Sequence, residues 1–235
     1  MEFHLQDPSA VDEELTAAGK KESDKEEKPL KVVYRGEFED TEEIQNLVIP
    51  EGIEEVAENA FRDFSSVRTV RFPASLRTIG PSAFSGCKIL RSVEIPVGVT
   101  EILDEAFFAC PSLTSVNLPD SVGRIGEGCF EGCASLSSIR LSEAVEMIGS
   151  NAFAYCFNLR DVTVPDSCRL IEFGAFASCF SLEAVKLPDN LGMLDESLFE
   201  GCRSLTTVDL PPKLFRIGRR AFKGCTSLRF LILPV

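Results

Sequence analysis

Apolar and polar residues follow a pattern that repeats every 23 residues over most of the chain. When the repeat is numbered from its leading aliphatic residue, columns 1, 4, 6, 10, 13 and 18 are apolar. Eight complete units fill residues 44–227 without insertion or deletion. The nine leading residues are Ile44, Val67, Leu90, Leu113, Leu136, Leu159, Leu182, Leu205 and Leu228. A repeat of this kind predicts a solenoid, in which each unit buries its apolar edge against its neighbours.

Each unit predicts one strand followed by turns. Columns 4 and 6 are apolar around an intervening residue that is usually polar, as in Val93 and Ile95, which is the alternation of a half-buried strand. Proline occupies column 7 in eight of nine units and ends the strand, because it cannot donate to a ladder. Columns 17 and 18 usually read Ala-Phe. We predict that these phenylalanines lie on short helical turns and stack on one another, and that column-14 glycines such as Gly126 suit a tight bend.

The repeat L-x-x-V-x-L-P…I-G-x-x-A-F-x-G-C-x-S-L resembles the bacterial surface protein A-like (BspA-like) class of leucine-rich repeats over residues 44–235. This resemblance implies an α/β leucine-rich repeat solenoid dominated by strands. A parallel sheet would line its concave side, with short helical turns or strands on the convex side. The resemblance also implies protein binding and, in many members, attachment to a cell surface.

The two ends of the chain depart from the repeat. Residues 1–29 are acidic, and we predict a flexible tail with a short helix as the alternative. Residues 30–43 fit the repeat frame as a degenerate half-unit, with Leu30 in column 10 and Val33 in column 13. We interpret this half-unit as a polar cap on the core. Residues 44–235 then form the solenoid, with eight full units and a terminal strand.

Charge and composition exclude several classes of function. The chain has 24 Lys and Arg against 37 Asp and Glu, a net charge of −13, which disfavours nucleic acid as a partner. Its single histidine, His4, cannot supply a Ser-His-Asp triad or a histidine-rich metal site in the core. No stretch approaches 18 consecutive apolar residues, so we predict no membrane span. The first residues do not resemble a secretory signal.

Seven of the nine cysteines occupy column 21, where the first unit has Phe64. A column that accepts either phenylalanine or cysteine is an apolar core position. A ladder of reduced thiols is therefore favoured over a disulfide framework or a metal site, because the cysteine count is odd and there is no Cys-x-x-Cys. Free buried thiols favour a cytoplasmic or other intracellular, reducing location.

The strand face is the first candidate binding surface, because columns 2 and 5 place charged residues along it. Its candidate residues are Arg68, Arg71, Arg91, Glu94, Asn117, Arg140, Lys186 and Asp209. One interpretation is a groove for a peptide or an acidic patch. The alternatives are a solvated sheet with ion pairs such as Arg71 to Glu94 and Lys186 to Asp209, or a surface masked by the acidic tail.

Two further surfaces follow from breaks in the pattern. Apolar residues replace polar ones in three successive units at Met147, Leu170, Met193, Phe157, Phe173 and Phe180. These residues predict an apolar interaction patch, unless the side chains tuck under the convex coils. The last residues, Phe230, Leu231, Ile232 and Leu233, predict an open strand edge. Such an edge invites pairing with a partner or with a second copy of the chain.

Short motifs for chemistry are missing from the sequence. Neither a phosphate-binding G-x-x-x-x-G-K-S/T loop nor a G-x-S-x-G elbow occurs. We therefore predict a non-enzymatic protein-binding module without cofactors or metal, which serves as a structural or adaptor subunit of a larger intracellular assembly. The alternative is a cell-surface or secreted adhesin of the BspA-like type.

Overall fold

The computed structural model describes residues 33–34, 44–231 and 233. Each 23-residue unit in this part of the chain is one coil with two strands, a three-residue strand in columns 3–5 and a two-residue strand in columns 12–13. The three-residue strands form the first ladder: β2 (Asn46–Val48), β4 (Thr69–Arg71), β6 (Ser92–Glu94), β8 (Ser115–Asn117), β10 (Ser138–Arg140), β12 (Asp161–Thr163), β14 (Ala184–Lys186) and β16 (Thr207–Asp209). The strand-dominated parallel solenoid that the repeat predicts is confirmed.

The two-residue strands form a second ladder on another side of each coil. They are β1 (Val33–Tyr34), β3 (Glu55–Val56), β5 (Thr78–Ile79), β7 (Glu101–Ile102), β9 (Arg124–Ile125), β11 (Met147–Ile148), β13 (Leu170–Ile171), β15 (Met193–Leu194) and β17 (Arg216–Ile217). Every pairing between neighbouring strands is parallel, and within residues 44–231 it joins residues 23 apart, as in Val93 with Val116. The first ladder is interrupted between β10 and β12, and the second between β13 and β15.

The column-18 phenylalanines form a continuous stack inside the solenoid. Neighbouring rings from Phe61 to Phe222 lie 5.1–5.9 Å apart between centroids, with their planes within 20° of parallel. Phe61 to Phe199 are fully buried. Each ring therefore completes the packing of the coil before it and the coil after it, and the predicted stack is confirmed.

The predicted helical turns around these phenylalanines are wrong, since the described residues contain turns and no helix. Columns 16 and 20 hold residues with positive φ in every coil, such as Glu105 at 57° and Ala109 at 51°. A left-handed residue on each side of the phenylalanine prevents an α-helix from continuing. In addition, the Phe107 N–H donates to the carbonyl of Cys129 in the next coil at 2.8 Å, so these backbone groups serve the contact between coils.

The column-21 thiols are hydrogen-bonded within the core. Each thiol donates to the carbonyl of the column-18 phenylalanine one coil earlier, at 3.1–3.3 Å, as Cys110 does to Phe84. Burial raises the pKa of the Cys179 thiol to about 12 and that of Cys225 to about 11. Cys179 and Cys225 are therefore kept protonated, and the column-21 thiols act as small apolar residues that also satisfy a buried carbonyl.

Column-14 glycines allow the coils to approach closely, a role different from the bend that their position predicts. A Cβ atom on Gly149 would lie 2.6 Å from the backbone nitrogen of Glu127 in the preceding coil. A Cβ on Gly80 would lie 2.5 Å from the carbonyl oxygen of Val56. At these positions any side chain would force neighbouring coils apart.

The two ends of the solenoid differ in two details from what the 23-residue repeat predicts. The half-unit adds β1 to the second ladder, but Val33 pairs with Glu55 in column 12, one residue from its predicted column. The rest of the predicted cap and tail lies outside the described residues. At the other end, the described residues of the predicted terminal strand, 228–231 and 233, do not form a strand, and the first ladder ends at β16.

Candidate functional site

A cleft of about 1030 Å³ lies where strands β4, β6, β8 and β10 end and turn away from the first ladder. Its floor carries the column-5 side chains of these strands, and its wall carries column-8 residues of the turns that follow. Four predicted residues of the strand face meet in it: Arg71, Glu94, Asn117 and Arg140. They share one face because they occupy the same column of parallel strands that pair in register, while Val70 and Val93, one residue earlier, point inward.

Charges of both signs line the cleft. Arg140 is paired with Asp120, with Nη2 of the arginine 3.0 Å from Oδ1 of the carboxylate. Within the described part of the chain, Arg71 and Glu94 take part in no ion pair. Both are exposed, and they stand on neighbouring strands. Among the described residues, the cleft therefore presents a cation and an anion that form no ion pair.

The apolar wall of the cleft centres on Val97, whose side chain is 84% exposed. The turn that carries it is held to the next coil by Ser121. The Gly98 N–H donates to Ser121 Oγ at 3.2 Å, and that hydroxyl donates to the Val99 carbonyl at 2.7 Å. Gly98 has a φ of 115°, which L side chains rarely adopt. The exposed valine is thus presented on a fixed turn.

The other predicted strand-face residues lie away from the cleft. Arg68 and Arg91 precede β4 and β6, at the opposite ends of those strands. Lys186 and Asp209 are exposed on β14 and β16, beyond the last strand of the cleft. All four belong to the same face, but the structure does not gather them into one site with Arg71.

The ion pairs predicted across the strands are not the ones that form. Neither Arg71 with Glu94 nor Lys186 with Asp209 is among the ion pairs of residues 44–231. Arg140 instead reaches diagonally to Asp120 in the turn of the preceding coil. Other pairs do join the same column of neighbouring coils, as Arg160 with Glu183 and Lys223 with Glu200.

Sequence reasoning missed the wall of the cleft. Column 8 follows the proline, and it contributes Glu51, Ala74, Val97 and Asp120. The available signal was Val97 itself, an aliphatic residue in a column that is mostly polar or small elsewhere. A single exposed aliphatic residue is common on protein surfaces. Val97 therefore indicates a binding site only when it is considered together with the charged residues of column 5.

The predicted apolar patch divides into two groups. In the first, Met147 pairs with Leu170 across the second ladder, and these two residues and Met193 are half-buried. Phe173 follows in column 15 and is 45% exposed. These side chains are partly tucked against the coils, yet they leave an apolar stripe at the surface.

The second group is an aromatic stack in columns 20 and 22. The rings of Phe157 and Phe180 lie 4.7 Å apart between centroids. Tyr155 approaches Phe157 edge-on at 6.2 Å, and the Arg203 guanidinium carbon lies 4.4 Å from the centre of the Phe180 ring. The sequence analysis missed Tyr155 and Arg203, because it searched for apolar residues. Such a search does not detect a cation–π contact between an arginine and an aromatic ring.

The predicted C-terminal edge is only partly within the described residues. Phe230 is 81% exposed, Leu233 is exposed and Leu231 is half-buried against the core. Ile232 lies outside the described residues. Phe230 and Leu233 border a hollow of about 340 Å³ beside β16. Association through this edge stays a prediction.

The chemistry of the described residues gives no sign of a resident metal. No group of three or more His, Cys, Asp or Glu side chains in this part of the chain is arranged to hold a metal ion. In the same residues, no helix has the length and apolar character needed to cross a bilayer.

Comparison with known proteins identifies the class. The family described as BspA type Leucine rich repeat region, in 6 copies, matches residues 31–160 and 100–229. The T. pallidum Leucine Rich Repeat protein (TpLRR) is similar in its crystal structure, with 32% sequence identity and a TM-score of 0.59. That match covers 84% of this chain and 82% of the T. pallidum protein. No curated protein matches the chain.

A second solved structure is more distant. It is a leucine-rich repeat protein from Bacteroides ovatus, 26% identical with a TM-score of 0.46, and the match covers 86% of this chain and 68% of that protein. The chain belongs to the BspA-type leucine-rich repeat family. Leucine-rich repeat solenoids are scaffolds that bind other proteins, so the class itself indicates a protein partner.

Proposed function

We propose that this protein is a non-enzymatic binding module that holds an extended polypeptide segment in the cleft above β4, β6, β8 and β10. The observation that carries the proposal is the cleft itself. It combines the charges of Arg71 and Glu94, which form no ion pair within residues 44–231, with the exposed Val97, and it has a volume of about 1030 Å³. A concave, partly apolar site with a few fixed polar groups is the usual form of a binding site.

The spacing of the coils indicates the kind of peptide that fits. Neighbouring strands lie about 4.8 Å apart, so Arg71 and Arg140, three strands apart, are separated by about 14 Å. An extended chain advances about 3.3 Å per residue and spans this distance in about four residues. We propose a segment with a carboxylate opposite Arg71, a basic residue opposite Glu94 and an apolar side chain against Val97.

The protein's wider role is proposed from the shape of the solenoid and from its thiols. A long rigid solenoid suits a structural or adaptor subunit of a larger intracellular assembly. The column-21 thiols, six of them buried and all seven hydrogen-bonded to a backbone carbonyl, favour a reducing compartment. The second candidate is a cell-surface or secreted adhesin, which membership of the BspA-type family favours. Protease treatment of intact cells separates the two, because only a surface protein would be digested.

The test of the binding site is purification under native, reducing conditions, followed by mass spectrometry of the proteins that co-purify. The wild-type chain is compared with a cleft variant, Arg71→Glu with Arg140→Glu, and with a matched control, Arg91→Glu with Lys186→Glu. Both variants reverse two exposed cations on the same face, but only the first pair lines the cleft. A partner retained by the control and lost from the cleft variant supports the proposal. A partner retained by both variants overturns it.

A further inference from the structure

A strip of surface leads into the strands of the first ladder and is formed by columns 22, 23, 2 and 3. Its coils are held in register: the Asn158 N–H donates to the Ala134 carbonyl at 3.2 Å, and the Ser181 N–H donates to the Phe157 carbonyl at 3.1 Å. Side chains of one column therefore follow one another at the coil spacing of about 4.8 Å. Counting residues 44–66 as coil one, we call the strip from coil two to coil six the entry strip.

The entry strip is basic in coils two and three. Arg68, Lys88 and Arg91 are exposed there, and none of them forms an ion pair with a described residue. The two arginines stand on neighbouring coils, since the Arg91 N–H donates to the Arg68 carbonyl at 3.1 Å. The four columns contain no carboxylate in coils one to five, and Asp63, in nearby column 20, is paired with Arg62 at 3.8 Å. This end of the strip therefore attracts an anion.

The entry strip is aromatic in coils five and six. The Phe157 ring, 36% exposed, stacks on Phe180 at 4.7 Å between centroids, and Arg203, one coil further on, lies 4.4 Å from the centre of the Phe180 ring. On the other side of Phe157 the same column holds Ala134, whose methyl group is too small to cover an aromatic ring. Tyr155 stands edge-on to Phe157 and is 48% exposed. The stack therefore ends in an aromatic face that a further ring could cover.

Small side chains separate the basic end from the aromatic end. In coil four, all four columns hold small residues: Thr114, Ser115, Ala134 and Ser135. The basic end and Phe157 are two to three coils apart, about 10–14 Å. An elongated ligand with an anionic group at one end and an aromatic ring at the other would therefore cross coil four without meeting a large side chain.

The chain carries such a ligand in residues 1–19, which lie outside the described residues. These residues contain five carboxylates and no lysine or arginine, and three of the carboxylates are consecutive, Asp12-Glu13-Glu14. We call these three the acidic triplet; Phe3 precedes it by nine residues. Residues 20–28 contain four lysines and four carboxylates, so they carry no net charge. One short segment thus combines a concentrated negative charge with an aromatic ring.

We propose that residues 3–14 of the chain bind to its own entry strip, with the acidic triplet at the basic end and the Phe3 ring on the uncovered face of Phe157. At the basic end the carboxylates neutralise three cations that form no ion pair with a described residue. At the aromatic end Phe3 adds one ring to the column-22 stack.

The order of the two groups along the chain matches their order along the strip. Strand β1 lies before coil one, and on going back from it the acidic triplet comes first and Phe3 second. In the same way, the basic end lies nearer to coil one than Phe157 does. Glu14 precedes Val33 by 19 residues. A stretch of that length extends to as much as about 60 Å, more than the distance of about 14 Å along the solenoid to coil three.

The spacing within the segment also fits the strip. The nine residues from Phe3 to Asp12 span about 14 Å as a helix and about 30 Å as an extended chain. Either form is long enough to join the basic end to Phe157 across coil four.

The chain's own segment fits the strip better than a separate acidic protein, because a tethered segment is present at an effective concentration of about millimolar. The strip is also a better site for it than coil eight, where Arg216, Arg219 and Arg220 are exposed. Carboxylates of coil seven stand beside those arginines, and one of them, Glu200, is paired with Lys223 at 2.8 Å. The columns of the entry strip contain no carboxylate before coil six.

The inference does not depend on the proposed peptide site. Arg68 and Arg91 lie at the opposite ends of β4 and β6 from the cleft residues Arg71 and Glu94. Binding of residues 3–14 to the entry strip can therefore be observed whether or not the cleft holds a partner.

The experiment uses the full chain with one substitution, Phe3→Trp, which introduces its only tryptophan. We expect blue-shifted emission, and an acrylamide quenching constant at least about twofold lower than in the same chain with Phe157→Ala, because a ring packed on Phe157 is accessible from one side only. The difference should be present at about 50 mM salt and lost at about 500 mM, since exposed charges are screened.

Charge reversal then tests the basic end. The strip variant carries Arg68→Glu, Lys88→Glu and Arg91→Glu, and its indole should be quenched as strongly as in the Phe157→Ala chain. The matched control reverses three exposed cations of coil eight, and its indole should stay protected. Its substitutions are Arg216→Glu, Arg219→Glu and Arg220→Glu.

A charge swap tests whether the acidic triplet is the partner of this end. Asp12→Lys, Glu13→Lys and Glu14→Lys, made alone, should expose the indole. The same three substitutions combined with the strip variant place opposite charges together again, so they should restore the protection. Far-UV circular dichroism verifies that each variant keeps its fold.

Three results would overturn the proposal. The first is an indole that is quenched equally in the parent chain and in the strip variant. The second is protection that is lost in the coil-eight control and kept in the strip variant, since the segment would then bind coil eight. The third is protection that increases between about 1 and about 100 μM protein, since the segment would then bind a second copy of the chain.

Discussion

The inner and outer sides of this solenoid are built from the same repeat, yet they differ in how much the coils vary. Inside, column 18 is phenylalanine in every complete coil, and column 21 is cysteine in seven of eight. Outside, column 15 changes from Glu127 to Phe173 to Arg219. An inward side chain must pack against the equivalent side chains of both neighbouring coils. An outward side chain contacts only water or a partner, so its identity can change from coil to coil. Stability therefore comes from the repeated inward columns, while binding depends on the exceptions in the outward columns.

The largest expected effect comes from breaking the inner stack. Phe130→Ala removes a fully buried ring that stacks on Phe107 and Phe153 at 5.5 Å, and it should lower the free energy of unfolding by about 3–5 kcal/mol. Val97→Ala, on the outside, should change it by less than about 0.5 kcal/mol. Urea unfolding followed by circular dichroism measures both. Equal losses of unfolding free energy in the two variants would contradict the claim that the buried columns, and not the exposed ones, stabilise the fold.

Separating two coils should have the next largest effect. In Gly149→Ala the new Cβ would meet the Glu127 backbone nitrogen at 2.6 Å, so the coils must shift, at a cost of about 1–3 kcal/mol. Gly123→Ala is the control, because its Cβ would have its nearest neighbour, the Ala144 carbonyl oxygen, at 3.7 Å. That variant should be as stable as the wild type in the same urea titration. A neutral Gly149→Ala would show that the coils are not in close contact there.

Alkaline pH should weaken the inner side through its thiols. Burial raises the pKa of Cys179 from an ordinary 9.0 to about 12, so the unfolded chain loses this proton first. The stability that this thiol contributes is fully present below pH 9 and is lost as the pH rises towards 12, at about 1.4 kcal/mol per pH unit. The urea midpoint should therefore be lower at pH 10 than at pH 8.

The variant Cys179→Ala provides the control for this pH dependence. It removes one titrating thiol, so its urea midpoint should fall less between the two pH values than that of the wild type. An identical fall in the variant and the wild type would show that this thiol is not the source of the effect.

The smallest expected effect concerns the left-handed positions beside the phenylalanines. Ala109 holds a φ of 51° in column 20, and Ala109→Gly should stabilise the chain by up to about 1 kcal/mol. Gly132 has a φ of 74° in the same column of the next coil, and Gly132→Ala should destabilise it by about 1 kcal/mol. Thermal unfolding of the two variants should shift in opposite directions. Shifts of the same sign would contradict the backbone conformation of this column.

The fold was largely predictable because a strict period fixes which residues face one another. The spacing of 23 placed the first ladder, the phenylalanine stack and the buried thiols correctly. The helical turns were wrong because Ala-Phe favours a helix locally, whereas columns 16 and 20 require positive φ. A signal for this was present in the sequence, since glycine or asparagine occupies column 16 at Asn59, Gly128, Asn151 and Gly174.

The candidate site was less predictable than the fold. Alternation along the strands identified Arg71, Glu94, Asn117 and Arg140, because the face of a side chain follows from its place in a strand. It could not give the cleft wall, whose shape depends on the turn at Gly98 and on its bonds to Ser121. The alternation also could not predict the ion pairs. A long exposed side chain can contact a charge in another column as well as the residue directly opposite on the neighbouring strand.

Hydrogen–deuterium exchange of the free protein and of its complex with a co-purified partner tests the central claim most directly. We predict that binding protects backbone amides in the segments that line the cleft, 70–74, 94–97 and 117–121, and at Arg140, and leaves the coils of β14 and β16 unchanged. Protection confined to β14, β16 or the second ladder, with the cleft segments exchanging as in the free protein, would contradict it.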